Sequence, residues 1–517
     1  MQIILVHLLY NKELNRKKES HKKQYCVLCQ FVGIWVEFAP YLCYFENQAE
    51  MIKFGTSGWR AIMGEELTFQ NVRIVVQAIA NYLKKTRPDK QISVLVNYDT
   101  RFLSERFAFE AAKILSHNQI YVFLSDRDAP SQAHALQVIK RGACGGINFT
   151  ASFNPPEYNG LKFNVETGAP ALPEVTDKLE AEIKALTKNF SFCPYYPKDE
   201  FIEKINLQQD YLNYIQEKVD FDLIRKGKLH IAADSLYGTS REYLDEILEE
   251  NHIPVEELHG YIDPYFGGIN PSCTVENLGE LKKLIKEKKC HLGIATDCDG
   301  DRFGIVDDKG RFLNPNIVLS LLLEYLIQEK NWNGGVARSV ATTHLIDRIA
   351  RNHSLPLYKT PVGFKYLADL FLKGKIIFGG EESACIALKD HIPEKDGIIA
   401  GLLVAEMIAA RGNPLSVQTD ELFKKYGKRV AKHEDIVLTL KNERKLNRLR
   451  KSPPSSLTGR EVVNVETIDG VKLDFSDDDW ILIRYSGTEP LIRCYAEAGT
   501  EKEVDSLMQA ALEQLSE

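Results

Sequence analysis

Asp297, Asp299 and Asp301 alternate along the run Thr296-Asp297-Cys298-Asp299-Gly300-Asp301-Arg302. The apolar residues 292–295 ahead of them read as a buried strand, so three carboxylates gather where that strand ends. Such a group repels itself strongly, and a hard divalent cation such as Mg²⁺ relieves the repulsion while taking oxygen ligands. Arg302 follows directly and suits a phosphate oxygen beside the metal. The set points to phosphoryl chemistry. A solvated acidic turn is the ordinary alternative. An EF-hand loop is excluded: it needs glycine at its sixth position and glutamate at its twelfth, where this chain has Arg302 and Asp308.

Five other runs could serve the same chemistry. In Thr150-Ala151-Ser152-Phe153-Asn154-Pro155-Pro156, two prolines fix a turn that presents Ser152. A serine hydroxyl becomes a useful nucleophile only when a neighbour withdraws charge or takes its proton. A purely structural proline turn fits equally well. Phe54-Gly55-Thr56-Ser57-Gly58-Trp59-Arg60 offers backbone amides and Arg60 to an anion, although ordinary turns share its composition. In Gly379-Gly380-Glu381-Glu382-Ser383, Glu381 and Ser383 lie two apart and on an extended chain share a face toward sugar hydroxyls. The competing reading is an acidic helix start. Arg484-Tyr485-Ser486-Gly487-Thr488-Glu489-Pro490, with Arg493, offers hydroxyls, amides and two guanidinium groups to a phosphate dianion, or is a surface hairpin. Lys395, in Pro393-Glu394-Lys395-Asp396-Gly397, is a candidate proton donor or acceptor, or a solvated lysine.

The elements that must position these groups follow from the rest of the chain. With 517 residues, 44% apolar and 26% charged, it is a multidomain protein able to bury real cores. A net charge of −7 disfavours nucleic acid, so an anionic substrate must be drawn in by a local basic cluster. The 10 cysteines are scattered, which reads as a reducing, cytoplasmic compartment rather than a disulfide framework. Residues 1–50 differ from the remainder and hold a lone Cys26/Cys29 pair; no spanning helix or signal peptide is read there. They are expected to be an extension outside the fold.

Beyond residue 50, short β-rich runs alternate with amphipathic helices. Strands are predicted at 93–97, 120–124, 146–149, 229–233, 292–295, 336–341 and 376–378. Helices are predicted at 69–84, 105–116, 131–141, 276–288, 316–328, 343–351 and 365–372. This rhythm implies an α/β fold built from βαβ units, with ligands gathered at the carboxyl ends of strands. Strand ends carry polar signatures: Asp99-Thr100-Arg101, Thr150-Ala151-Ser152, Asp297 and Glu381-Glu382. The last 90 or so residues change to two strands, a Gly-containing turn and a helix over 502–515, a small α+β domain. No strong sequence repeat is visible.

Taken together and in this order, the motifs resemble the α-D-phosphohexomutase superfamily over about residues 51–517. The resemblance implies three related α/β domains with mixed, mainly parallel sheets and a small C-terminal α+β domain around a central cleft. The expected divisions are 51–195 for the phosphoserine loop, 196–308 for the metal loop, 309–420 for the sugar loop and 421–517 for the phosphate loop. By resemblance, Ser152 is the phosphoserine, and Asp297, Asp299 and Asp301, with the Ser152 phosphate, hold Mg²⁺. Arg60, Lys162, Arg302 and Lys395 match catalytic positions. Val362, Gly363, Glu381, Ser383, Arg484, Ser486, Gly487, Thr488 and Arg493 match substrate-binding positions. Two departures stand out. Phe153 replaces a histidine usual after the serine, and Ala384-Cys385 replaces glycine or Gly-His after Ser383.

The activity implied is a phosphoglucomutase using glucose 1,6-bisphosphate as activator and intermediate. A phosphomannomutase or dual-specificity mutase is the near alternative. A sugar-phosphate sensor and a metal-dependent phosphatase are more distant ones. The partner is a hexose phosphate, with no nucleic acid or membrane, on a monomer or homodimer.

Overall fold

The computed structural model describes residues 52–55, 58–88, 91–189, 195–487 and 490–516. The extension 1–50 and Thr488 lie outside these, as do Thr56 and Ser57 of the first glycine loop.

Four sheets organise the described residues. The first contains β1 (Trp59–Ile62), β2 (Ser93–Tyr98), β3 (Tyr121–Ser125), β4 (Gly145–Phe149), β5 (Tyr158–Val165) and β6 (Ile202–Ile205), ordered β1-β5-β4-β2-β3-β6. The second contains β7 (Ile231–Asp234), β8 (Val255–Leu258), β9 (Leu292–Thr296), β10 (Phe303–Val306) and β11 (Phe312–Leu313), ordered β11-β10-β9-β7-β8. The third contains β12 (Val336–Ser339), β13 (Leu357–Thr360), β14 (Phe378–Glu381) and β15 (Cys385–Leu388), ordered β13-β12-β14-β15. The fourth is an antiparallel sheet of β16 (Val430–Val437), β17 (Ser456–Leu457), β18 (Arg460–Glu466), β19 (Val471–Phe475), β20 (Trp480–Tyr485) and β21 (Leu491–Ala498).

The first three sheets share one topology. The runs β5-β4-β2-β3, β10-β9-β7-β8 and β15-β14-β12-β13 are the same arrangement: three parallel strands and one antiparallel return. Their inner strands are buried, and those of the first two sheets are mostly apolar, as strands covered on both faces should be. In each, the antiparallel return leaves a hairpin loop at the carboxyl end of the parallel strand before it. These loops hold Ser152 after β4, Asp297–Asp301 after β9, and Glu382–Ala384 after β14. The β20–β21 hairpin holds Ser486 and Gly487. The α/β class and the repeated α/β architecture expected from the sequence are therefore both present.

One boundary moved. The strand predicted at 376–378 is Phe378–Glu381, because Gly379 and Gly380 pair with Ala387 and Ile386 instead of forming a loop. The remaining predicted strands and helices agree to within a few residues. Among the described residues no single helix is long and apolar enough to cross a membrane; one bent pair, Gly397–Arg411 with Leu415–Tyr426, passes on length and composition. The Gly397–Arg411 helix is largely buried against β9, β10 and its neighbours, as an apolar core helix should be.

Candidate active site

The Ser152 loop is held by an arginine. Arg101, just after β2, donates Nη2 to the carbonyls of Ser152 and Asn154 at 2.5 Å each. Its Nη1 reaches the carbonyls of Pro155 at 2.7 Å and Tyr158 at 3.0 Å. One buried planar fork thus binds four carbonyls around the loop, of which that of Pro155 also accepts the Tyr158 amide at 3.0 Å. Ser152 itself has φ of +52°, a left-handed conformation uncommon for a non-glycine residue. Its amide is satisfied by Thr150 Oγ1 at 2.9 Å.

The acidic loop is gripped from three sides. Gly238 and Thr239 lie under Cys298, whose carbonyl accepts from the Thr239 amide at 2.8 Å and its hydroxyl at 3.1 Å. Gly397, which opens the Gly397–Arg411 helix, donates to the Gly300 carbonyl at 3.0 Å; a Cβ there would lie 2.2 Å from the Arg302 carbonyl, so only glycine fits. From the first sheet's side, Ser131 Oγ donates to Asp299 Oδ2 at 2.6 Å and Gln132 Nε2 to the Gly300 carbonyl at 2.9 Å. The loop's backbone is fixed before any ligand arrives.

These supports bring the predicted residues together. Ser152 Oγ lies 2.6 Å from Asp297 Oδ2, and both residues are fully buried. Lys162, from β5, donates Nζ to Asp299 Oδ2 at 2.5 Å and to Asp301 Oδ2 at 2.7 Å. Lys395 also pairs with Asp301. Arg302 donates its amide to Asp297 Oδ1 at 3.0 Å and Nη1 to the Ser383 carbonyl at 3.2 Å. Arg60, on β1, donates Nη1 to Asn154 Oδ1 at 2.8 Å. Loops of three sheets thus meet at one point.

Burial and the two neighbouring carboxylates push Asp297 well above the usual carboxylate range. Burial and Asp301 would raise Asp299 as well, yet Lys162 and Lys395 hold it below its ordinary value. Asp301, also buried, is held far down by Lys162, Lys395 and Arg302. Burial alone would lower Lys395, but Asp301 and Glu394 outweigh it and keep it charged. Burial, and then the charge of Arg302, lower Arg60.

The carboxylates suit a metal ion. One oxygen from each of Asp297, Asp299 and Asp301 falls within 4.8 Å of the others. Oδ1 of Asp299 and Oδ1 of Asp301 are buried without a hydrogen-bond partner, and a buried unpaired carboxylate oxygen is costly unless something positive meets it. An all-oxygen, hard donor set of this kind matches Mg²⁺ chemistry.

The substrate-facing residues are arranged less simply. Glu381 ends β14 and its Oε1 accepts the Gly363 amide at 2.6 Å. Burial and then Glu382 push its carboxyl up to about 7. The chain turns over Glu382–Ala384, where Ala384 has φ of +64°, so strand alternation does not carry through to Ser383. Ser383 contributes its carbonyl to Arg302, while its hydroxyl lies 3.5 Å from Cys385 Sγ. Glu381 and Ser383 are thus held by different partners, Gly363 and Arg302.

On the fourth sheet, Arg484 and Arg493 stand directly opposite each other on β20 and β21. Like charges in that register repel, so a bound dianion would relieve them. Asp469 accepts Arg484 Nε at 2.9 Å and, through the same oxygen, the Val362 amide at 3.0 Å. Arg493 pairs with Asp435 at 3.6 Å. Ser486 and Gly487 lie in the hairpin turn between the two arginine strands.

Arg101, Ser131, Glu394 and Asp469 escaped the sequence reading as site residues. Arg101 had a signal, the polar strand-end run Asp99-Thr100-Arg101, but nothing tied it to a loop about 50 residues on. Glu394 links two sheets, since Asn164 Nδ2 donates to its Oε2 at 2.7 Å and its Oε1 accepts the Lys395 amide at 3.0 Å. Asp469, in a plain Asp-Gly turn, carried no signal.

Comparison with known proteins agrees with this architecture. Models of the phosphoglucomutase/phosphomannomutase α/β/α domains I, II and III match residues 51–190, 209–310 and 314–426, and that of the C-terminal domain matches 430–514. A "probable phosphoglucosamine mutase" of Pyrococcus furiosus is 31% identical over 89% of this chain and 96% of its own. A phosphoglucomutase of Komagataeibacter xylinus is 30% identical over 87% of this chain and 88% of its own. The structure of a Thermus thermophilus protein assigned as a phosphomannomutase superposes with a TM-score of 0.78 at 29% identity, covering 90% of this chain and 99% of that one. The chain belongs to the phosphoglucomutase/phosphomannomutase family of the α-D-phosphohexomutase superfamily, a family of isomerases that move a phosphoryl group within a sugar phosphate.

Proposed function

We propose that the protein interconverts glucose 1-phosphate and glucose 6-phosphate by way of phosphorylated Ser152, with a hexose 1,6-bisphosphate as intermediate and activator and Mg²⁺ as cofactor. The observation that carries this reading is the 2.6 Å contact between Ser152 Oγ and Asp297 in the acidic cluster. Glucose is preferred because the Gly-Glu-Glu-Ser loop and the run from His391 to Gly397 resemble phosphoglucomutases.

In the proposed cycle, the oxygen–phosphorus bond at Ser152 breaks as the free hydroxyl of the hexose monophosphate forms a new one, and the hydroxyl's proton ends on Ser152 Oγ. The bisphosphate reorients, and its other phosphoryl group returns to Ser152. Mg²⁺ held by Asp297, Asp299, Asp301 and the Ser152 phosphate would neutralise charge on the group in transit. Arg60 and Arg302 steady that group from the protein side. Lys395 and Lys162 bring positive charge to the acids, and Lys395, held protonated, can supply a proton to a departing oxygen. Glu381 accepts a sugar hydroxyl. Arg484, Ser486, Gly487, Thr488 and Arg493 grip the distal phosphate, whichever end of the sugar carries it. Closure over the cleft excludes the water that would hydrolyse phosphoserine.

A second reading, a mannose phosphate or dual-specificity mutase, is favoured by relatives of similar identity that carry different substrate names. Purified protein with glucose 1-phosphate, Mg²⁺ and a trace of glucose 1,6-bisphosphate separates the readings. Glucose 6-phosphate means a mutase, free phosphate a phosphatase, and binding without product a sensor. Mannose 1-phosphate and glucosamine 1-phosphate, run alongside, rank the sugars.

A further inference from the structure

Phe153 stands beside the nucleophile where a hydrogen-bonding side chain would be expected, and its side chain has no polar atom. Its half-buried ring is nonetheless occupied. The Arg302 guanidinium carbon lies 4.1 Å from the ring centroid, and that of Arg60 lies 5.5 Å away. The two arginines reach this ring from different sheets, Arg60 from β1 of the first and Arg302 from the β9–β10 hairpin of the second. Two guanidinium groups so close repel each other, and a ring whose face is electron-rich lowers that cost. The Nε–H of each has no hydrogen-bond acceptor among the described residues, although both atoms are buried. Arg302 Nε lies 3.8 Å from Asp301 Oδ1, too far for a hydrogen bond, so two buried guanidinium groups on the ring of the residue after Ser152 keep donor capacity for an anion at that serine.

We infer that Phe153 is a positioning residue, an aromatic platform that gathers Arg60 and Arg302 into one anion-binding pair at the Ser152 oxygen. It replaces a side-chain hydrogen bond by ring-face attraction. It works through the two arginines and touches no proton in transfer. The inference rests on the proposed role of Ser152 as phosphoryl carrier. The group gripped by this pair is carried on the protein, so losing the platform lowers kcat and leaves the KM for the sugar phosphate nearly unchanged.

The test compares Phe153→Leu, which keeps apolar bulk without a ring face, with Phe153→Tyr, which keeps the face. Phe153→Leu should lose about tenfold in kcat at unchanged KM and unchanged melting temperature, whereas Phe153→Tyr should stay within about twofold of the parent. A Phe153→Leu variant as active as the parent, or a Phe153→Tyr variant as impaired as Phe153→Leu, overturns the platform. A readout independent of turnover is inorganic phosphate binding by calorimetry, in an Arg484→Ala/Arg493→Ala background that removes both guanidinium groups of the distal site. Phosphate should bind about tenfold more weakly to the Phe153→Leu variant and normally to the Phe153→Tyr variant. Should the parent isomerise no hexose phosphate, the functional reading fails, and this binding comparison still decides the platform.

Discussion

Ser152 Oγ lies 2.6 Å from Asp297 Oδ2, across 145 residues of chain. Asp297 is the member of the acidic trio without a lysine partner, and burial and its two neighbours push its carboxyl up. A divalent cation would offset that repulsion and stabilise the folded protein by mass action, by about 2–3 kcal/mol when free Mg²⁺ is about a hundred times Kd. Mg²⁺ should therefore raise the melting temperature, and chelation should abolish turnover reversibly. In Asp297→Asn both effects should shrink sharply. A melting temperature indifferent to Mg²⁺ would count against metal binding here.

Arg101 satisfies four carbonyls of the Ser152 loop. Arg101→Lys keeps the charge but loses the planar fork, leaving buried carbonyls unpaired at a cost of about 2–3 kcal/mol. The expected result is a lower melting temperature together with a kcat loss of about 100-fold, since the nucleophile's position is what suffers. Normal kcat in a folded variant would show that the loop holds itself.

Arg484→Ala should raise KM about tenfold or more while changing kcat less, because a phosphate contact made in every bound state is lost. Asp469→Asn, which weakens the hold on Arg484 Nε and the Val362 amide, should raise KM in the same direction by a smaller factor. Steady-state kinetics on glucose 1-phosphate measures both. An unchanged KM in Arg484→Ala would rule out a phosphate clamp on β20.

Glu381 is raised to about 7 by burial and by Glu382. A carboxyl raised on folding favours the folded state below its unfolded value, and that contribution is lost as pH rises through about 7. Its use as a hydroxyl acceptor runs the opposite way, since the carboxylate forms only above that point. The pH profile of kcat/KM should climb through an ionisation near 7, and Glu381→Gln should remove that ionisation. A profile identical in parent and variant would assign the ionisation elsewhere.

Much of this arrangement was legible in sequence because local chemistry marks it. Alternating carboxylates after an apolar run mark a strand end, and the predicted helix over 131–141 is observed as Ser131–Lys140. The repeated α/β architecture showed in the rhythm of strands and helices but not in the residues themselves: the three copies place different chemistry on equivalent hairpins, so backbone geometry repeats while side chains do not. Long-range supports were hidden for another reason. Arg101 acts on carbonyls, which every residue possesses, and Asp469 acts through a register between two hairpins that no local pattern encodes. Strand alternation could not place Ser383 relative to Glu381, because a turn with Ala384 at φ of +64° intervenes.

Every step proposed here requires one phosphoryl group to travel on Ser152. Protein incubated with glucose 1,6-bisphosphate and Mg²⁺, then digested and analysed by mass spectrometry, should carry a phosphoryl group on Ser152, which glucose 6-phosphate removes as bisphosphate forms. Ser152→Ala should remain folded, take up no phosphoryl group and lose nearly all turnover. Full isomerase activity in Ser152→Ala, or phosphorylation confined to another residue, would contradict the account.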